Sequence, residues 1–148
     1  MRIIRWLPGA ALALLLAVPA SAQTFQSEVA LDVRAVGEKY VALAEAMPES
    51  AYGWRPMEGV RSVSEVFMHV AGANMGIPAM LMSVQPPDGY GGTWARGAEG
   101  ITDKATVVQS LRDAFEHLAS TLEGLSDAQL QQSVNVFGRD TNWLGAAM

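Results

Sequence analysis

The sequence predicts an all-α protein, and three observations support this fold class. Three stretches carry apolar residues at the 3.6-residue spacing of an amphipathic helix. Each stretch begins with serine, threonine or aspartate in a pattern typical of helix starts. The segments between them are rich in glycine and proline, and no internal repeat is visible. We therefore expect a bundle of consecutive helices.

The first 22 residues have the composition of a secretory signal peptide. Arg2 and Arg5 make the start positive, and a nearly unbroken apolar run follows from Leu7 to Val18. Residues 20–22 read Ala-Ser-Ala, the small residues of a cleavage site. The run is shorter than the ~20 residues of a membrane-spanning helix, which disfavours the alternative of a retained anchor. We expect cleavage after residue 22 and export to the periplasm or the medium.

The predicted mature chain, residues 23–148, has the size of one small domain. Removing 22 of 148 residues leaves 126, and 8 basic against 15 acidic side chains give a net charge of −7. An acidic chain without a basic cluster argues against nucleic acid and anionic membranes as partners. The absence of cysteine excludes disulfides, thiolate metal sites and cysteine nucleophiles. Stability must then come from packing, a metal or self-association.

The first helix is predicted from Ser27 to Met47, and Pro48 marks its end. Its predicted apolar stripe consists of Val29, Val33, Val36, Tyr40, Ala44 and Met47.

The second helix is predicted from Val63 to Met82. Ser62 and Glu65 have the spacing of a capping box, in which each side chain accepts from the backbone N–H of the other residue. Pro78 lies inside the apolar pattern, so we expect a kink or an early stop there. The apolar positions are Val63, Val66, Phe67, Val70, Ile77 and Leu81.

Residues 85–100 are dense in turn formers and predict a flexible crossover to the third helix. A long crossover is typical of a bundle in which two neighbouring helices run parallel. Tyr90 and Trp94 are candidates for a lid over one end of the bundle. The glycines fit neither a P-loop nor a dinucleotide-binding pattern, which disfavours phosphate binding.

The third helix is predicted to start at Thr102 as N-cap and to stop at Gly124. His117 lies outside its apolar stripe among polar neighbours, so we expect it on a solvated face. Ser126 and Gln129 form a second capping box, which opens a short helix through Leu130.

The most informative stretch runs from Ala51 to Pro78. His69 lies at the flank of the second helix's apolar stripe, and a lone imidazole is not a metal site. Asn74 projects from the core face, either as a satisfied buried amide or as a group that orients a ligand. Glu65 is interpreted as the capping partner of Ser62 rather than as a general base. The pocket candidates are Asn74, Tyr52, Trp54 and Trp94, the three aromatics forming the mouth of the bundle.

This stretch, YGWRPMEGVRSVSEVFMHVAGAN, resembles the DinB-like superfamily. The features are a Tyr-x-Trp-Arg-Pro loop, an Arg-Ser-x-x-Glu motif, and a helix with His69 and Asn74. The resemblance extends roughly from Val29 to Leu144 and implies an up-down-down-up four-helix bundle, often dimeric. It also implies a divalent metal, such as Zn or Ni, on three histidines. His69 would be the first, and an H-x-x-x-H pair on the last helix would supply the others. Some members are hydrolases or thiol transferases.

The sequence departs from this family pattern after Leu144, where four residues remain and the fourth helix with its two histidines is largely missing. Three helices of a four-helix core would leave an apolar groove open. At about 25 cal/mol per Å², leaving about 400 Å² uncovered forfeits about 10 kcal/mol. Three explanations remain: a truncated chain, a dimer or other helix partner that covers the groove, or a rearranged three-helix domain.

Two functional hypotheses follow. As given, the chain has one candidate metal ligand and no cofactor, which favours a non-catalytic binding module. The alternative is a divalent-metal-dependent hydrolase or thiol transferase whose site is completed in a longer form or by association.

Overall fold

The computed structural model describes residues 24–136 and 138–143. The signal peptide prediction and the turn residue Phe137 therefore fall outside the described residues, as do Leu144 and the residues after it. The described elements, in chain order, are helices α1 (Phe25–Ala46), α2 (Val63–Met82), α3 (Gly92–Gly97), α4 (Lys104–Glu123) and α5 (Asp127–Leu130), and strands β1 (Ser133–Val136) and β2 (Arg139–Asn142). Single 3₁₀ turns cover Glu49–Ala51 and Ala98–Gly100. The predicted all-α class is confirmed.

Helix α1 begins at Phe25, two residues before its predicted start, and Thr24 is its N-cap, with Ser27 as the N3 residue. The two side chains form a capping box, each accepting from the other's backbone N–H. The predicted stripe is partly wrong, since Val36 is 43% exposed. The buried face instead carries the small residues that let α4 approach closely, together with larger neighbours: Gln26, Ala30, Gly37, Val41 and Ala44.

Helix α2 has the predicted bounds and the predicted capping box. Glu65 accepts from the Ser62 N–H at 2.6 Å, and Ser62 Oγ accepts from the Glu65 N–H at 3.3 Å. Of the kink or early stop expected at Pro78, the early stop is wrong, because the helix continues past Pro78 to Met82 and has Ser83, whose φ is 58°, as its C-cap. Val66 is 45% exposed and therefore does not belong to the buried stripe.

Contacts at the helix ends show how the three long helices run. Lys104 Nζ, at the start of α4, donates to the carbonyls of Glu45 and Met47 at the end of α1, at 2.7 and 2.6 Å. Helices α1 and α4 are therefore antiparallel. Glu99, just before α4, pairs with Arg61, just before α2. Helices α2 and α4 therefore start at the same end and run parallel, as the long crossover predicts.

The crossover between α2 and α4 (residues 83–103) is more regular than the expected flexible loop. It contains α3 and a 3₁₀ turn, and Ala98 is buried in the main core. The lid prediction is also corrected, because Tyr90 contacts Asp113 in the middle of α4 rather than one end of the bundle. Burial of Tyr90 and Trp94 against the core explains this position.

Helix α4 begins one residue later than predicted. Asp103, not Thr102, is the N-cap, since its carboxylate accepts from both the N–H and the hydroxyl of Thr106. Its end at Gly124 and the capping box of α5 are as predicted. The sequence did not predict the antiparallel hairpin, in which Val136 pairs with Arg139 and Gly138 has a φ of 85°.

The core lies where α4 packs along both α1 and α2, whereas α1 and α2 barely approach each other. A second, smaller cluster of Leu125, Leu130 and Trp143 closes one end. No helix among the described residues is long and apolar enough to cross a membrane.

Candidate functional site

His69 is held by a carboxylate from the crossover. Its Nδ1 lies 2.8 Å from Glu99 Oε1, and the side chain is 53% exposed. Arg61 fixes the same carboxylate with two hydrogen bonds of 2.9 and 3.0 Å. The 3₁₀ turn at Ala98–Gly100 carries Glu99, and burial of Ala98 anchors that turn against the core. The imidazole therefore has a fixed orientation, although it lies near the surface.

Electrostatics keep the Glu99 carboxylate ionised. The hydrogen bonds from Arg61 lower the pKa of Glu99 despite slight desolvation, and the hydrogen bond with His69 acts in the same direction. A carboxylate on one ring nitrogen is the arrangement that orients metal-binding histidines. His69 is therefore suited to present its other ring nitrogen, Nε2, to a ligand.

A complete metal site needs more donors than this cluster supplies. Within residues 24–136 and 138–143, no group of three or more histidine, aspartate and glutamate side chains is placed to hold a metal ion. Arg61, a cation, also occupies the Glu99 carboxylate. The described residues thus fit one oriented ligand and not a ligand set.

Asn74 lies five residues, or about one and a half helical turns, after His69 on α2, and the nitrogen of its amide is unsatisfied among the described residues. Asn74 Nδ2 is buried and has no hydrogen-bond partner among the described residues. Pro78 has no N–H to donate to the Asn74 carbonyl, which is its helical acceptor. The Asn74 amide nitrogen therefore lacks the partner that a satisfied buried amide would have among the described residues.

The three aromatic candidates do not form a common mouth. Tyr52 is 1% exposed and belongs to the main core, where its hydroxyl donates to the Ala44 carbonyl at 2.8 Å. Trp54 is 62% exposed. Trp94 is half-buried and packs against Tyr90 with ring centroids 4.7 Å apart. Tyr52 lies in the core because its hydroxyl has a carbonyl partner there.

His117 does not lie on a solvated face, contrary to the prediction. Its ring is partly buried, its Nε2 is buried without a partner among the described residues, and burial lowers its pKa. The crossover covers this side of α4, which the helical pattern of α4 alone does not show. Glu65 has the predicted capping role and also pairs with Arg55 at 3.0 Å.

An apolar groove runs between α1 and α2 with α4 as its floor. Its lining side chains share an apolar character and include no charge: Val29, Val33, Ile77, Met82, Leu118, Leu122 and Trp143. The separation of α1 from α2 leaves this space, because each of them packs on α4 rather than on the other. The opening has a volume of about 220 Å³ and lies at the end of the bundle where α1 begins and where α2 and α4 end.

Comparison with known families gives one result. The family model described as DinB superfamily matches residues 33–146, which is most of the chain. The chain belongs to the DinB superfamily. No curated protein and no solved structure matches it. The all-α, DinB-like fold predicted from the sequence agrees with this membership.

Sequence reasoning missed Glu99, the DinB-domain residue that holds His69, and it missed the contact of Arg61 with Glu99. Arg61 and Glu99 are 38 positions apart, and Glu99 is 30 positions from His69. Neither spacing produces a local motif, so only the fold brings the three together. Asn74 and His69, the two site candidates predicted on α2, do not share a hydrogen-bond network among the described residues.

Proposed function

We propose that this DinB-superfamily protein is a binding module that receives an amphipathic helix in its apolar groove, and that it is not catalytic within a single chain. The observation that carries the proposal is the groove lining of seven apolar side chains between α1, α2 and α4. Burial of such a surface contributes about 25 cal/mol per Å². A helix with one apolar stripe fits because its polar face stays in water.

The partner helix is supplied either by a second copy of the chain or by another protein. The chain is acidic, which favours a partner without a strongly acidic face. For the same reason, nucleic acid and membranes are not proposed as partners. The groove itself offers no charged side chain for steering. Specificity then rests on the shape and spacing of apolar side chains.

Site-specific photocrosslinking tests this proposal. A benzoylphenylalanine at Ile77, in the groove, should give one discrete adduct in the source cells, and the crosslinked peptide should be an amphipathic helix. The same probe at Ala42, which is exposed on α1, is the matched control. Adducts scattered over unrelated peptides, or an identical adduct from Ala42, would contradict the proposal.

The second candidate is a divalent-metal site for Zn or Ni that His69 enters as one ligand. The hydrogen bond between His69 and Glu99 at 2.8 Å favours it. Further donors would come from residues outside the described ranges or from an associated chain. A complete site of this kind would support hydrolysis or thiol transfer, as the alternative function.

Isothermal titration with Zn²⁺ and Ni²⁺ separates the two candidates. The metal candidate requires binding at one ion per chain that His69→Ala abolishes and that Glu99→Gln weakens by about 10- to 100-fold. The binding-module proposal expects no sub-micromolar site in the isolated chain. Tight binding that survives His69→Ala would contradict the proposed role of His69.

We also propose that the protein is exported, with residues 1–22 removed. The support is the positive start, the apolar run and the Ala-Ser-Ala segment. Amino-terminal sequencing of protein from source cells should begin at Gln23, and a start at Met1 would contradict this proposal.

A further inference from the structure

Helix α1 carries a row of apolar side chains on its outer surface. Phe25, Val36 and Leu43 are between 38% and 54% exposed, and Val29, which lines the groove, is half-buried. Because these positions are separated by four or seven residues, they fall on one face of a helix with 3.6 residues per turn. Phe25, Val29, Val36 and Leu43 are called the α1 stripe below. Its seven-residue repeat is the spacing of a seam between two paired helices.

Two charges of opposite sign complete this repeat. Asp32 and Lys39 follow Val29 and Val36 by three residues, at further positions of the same seam. Both are exposed, and neither has a hydrogen-bond or ion-pair partner among the described residues. The seam therefore offers one carboxylate and one ammonium group to a partner. Since these two charges cancel, the acidic chain can approach another acidic chain along this face.

A second copy of the chain matches this pattern when the two α1 helices lie antiparallel. With Val36 of one copy against Val36 of the other, Val29 faces Leu43 of the second copy. Asp32 then lies opposite Lys39 of the second copy, and a twofold axis repeats each contact. A parallel pair in register would place Asp32 against Asp32 and Lys39 against Lys39, which like-charge repulsion disfavours. The charges therefore select the antiparallel arrangement.

We propose that the protein forms an antiparallel homodimer through the α1 stripe, in which α1 of the second copy supplies the partner helix of the groove. This pairing rests on the proposed function, because Val29 belongs to both the stripe and the groove lining. The groove lies at the end where α1 begins, so antiparallel packing brings Leu43 of the second copy to its rim. The apolar contacts supply the attraction, while the exposed ion pairs add little affinity and fix the register.

Cysteine crosslinking tests the pairing directly, because the chain has no cysteine of its own. In the purified protein, Val36→Cys should form a disulfide-linked dimer on treatment with diamide, since the twofold axis places the two thiols face to face. Leu31→Cys is the matched control, because Leu31 is 51% exposed but lies about 140° around α1 from Val36, and it should stay largely monomeric. In a mixture, Val29→Cys and Leu43→Cys should crosslink to each other rather than to themselves, which a parallel pair would not do.

Charge reversal tests the register without a crosslink. Asp32→Lys or Lys39→Asp should raise the dissociation constant of the dimer by about tenfold, because each change places like charges together at two symmetric contacts. Sedimentation equilibrium measures this constant. The double variant with both changes exchanges the two charges and should return the constant to within about threefold of the wild type. Both side chains are exposed and unpaired within the chain, so these variants should keep the fold.

A wild-type chain that stays monomeric at every concentration tested would overturn the proposal. Equal crosslinking of Val36→Cys and Leu31→Cys, or charge reversals without effect, would also contradict it. The Ile77 photocrosslink separates this failure from failure of the groove proposal. A discrete adduct with another protein, from a monomeric chain, overturns the second-copy partner and leaves the groove proposal intact. Scattered Ile77 adducts from a chain that crosslinks through Val36→Cys would leave the α1 pairing and remove the groove as its receptor.

Discussion

The Tyr52 hydroxyl donates to the Ala44 carbonyl at 2.8 Å, where Pro48 has no N–H to offer. Ala44 is four residues before Pro48, so a continuing helix would have satisfied this carbonyl from position 48. Tyr52 thus completes the end of α1 from within the buried core. Tyr52, predicted to line a pocket, therefore has a helix-capping role instead.

Tyr52→Phe should lower the free energy of unfolding by about 1–3 kcal/mol, because it leaves a carbonyl unsatisfied in the core without changing the ring. Urea denaturation measures this change. Tyr40→Phe is the matched control, since the Tyr40 hydroxyl has no hydrogen-bond partner among the described residues and its ring packs on Phe115 in the same core. Equal losses in the two variants would contradict the capping role.

Gly37 allows α1 and α4 to pack closely. A Cβ at this position would lie 2.7 Å from both Cβ and Cγ of Phe115. The Cβ of Phe115 cannot move away unless the α4 backbone moves with it. Gly37→Ala should therefore destabilise the protein by about 1–3 kcal/mol through overpacking. This loss exceeds the gain of about 0.5–1 kcal/mol in helix propensity.

Truncating the opposing side chain tests the cause of that loss. The double variant Gly37→Ala with Phe115→Ala should be less destabilised than the sum of the two single variants, because alanine lacks the Cγ that the new methyl group would meet at 2.7 Å. Additive effects in urea denaturation would show that the contact is not the cause.

The capping box of α2 should make stability depend on acidic pH through Glu65. The Ser62 N–H and Arg55 hold the pKa of the Glu65 carboxyl below its ordinary value of 4.5. A carboxyl with a lowered folded-state pKa contributes stability above its ordinary pKa, and that contribution is lost as the pH falls through the folded-state value.

Glu65→Gln keeps an oxygen acceptor for the Ser62 N–H but has no charge. The variant should be less stable than the wild type at about pH 7, and the difference should narrow as the pH approaches about 3. Urea denaturation across this range measures the difference. Since the other carboxyl groups titrate in both proteins, a gap that stays constant would contradict a role for the Glu65 charge.

The sequence predicts helix ends better than it predicts buried faces. The Ser62–Glu65 box fixes the start of α2 through residues that are neighbours in the chain, and the predicted bounds hold. The face that a helix buries depends on its neighbours instead. Val36 and Val66 fit an apolar stripe, yet they are exposed because α4 packs on another side of each helix.

The candidate site was predictable only where a single residue is unusual within its own helix. His69 and Asn74 interrupt an apolar stretch and so attract attention in the sequence. Glu99 lies in a glycine-rich segment with no periodic pattern, and its pairing depends on where the crossover returns to α2. Burial of His117 has the same origin, since the crossover covers a face of α4 that looks polar in the sequence.

The unsatisfied amide of Asn74 should cost stability, and removing it should raise the free energy of unfolding. A buried polar group without a partner costs about 1–3 kcal/mol, whereas an apolar residue of similar size at the same place incurs no such cost. Asn74→Leu should therefore stabilise the protein by about 1 kcal/mol or more. Leucine also has the higher helix propensity.

Gln26→Leu is the matched control, because Gln26 is a buried amide whose Nε2 donates to the Leu125 carbonyl and to Asp127 at 3.1 and 2.9 Å. That variant should destabilise the protein, since it leaves both acceptors without their donor. The opposite sign of the two effects in urea denaturation is the expected outcome. If Asn74→Leu destabilises the protein as Gln26→Leu does, the Asn74 amide has a partner in solution, and a ligand or water in the groove beside Ile77 becomes the explanation to test.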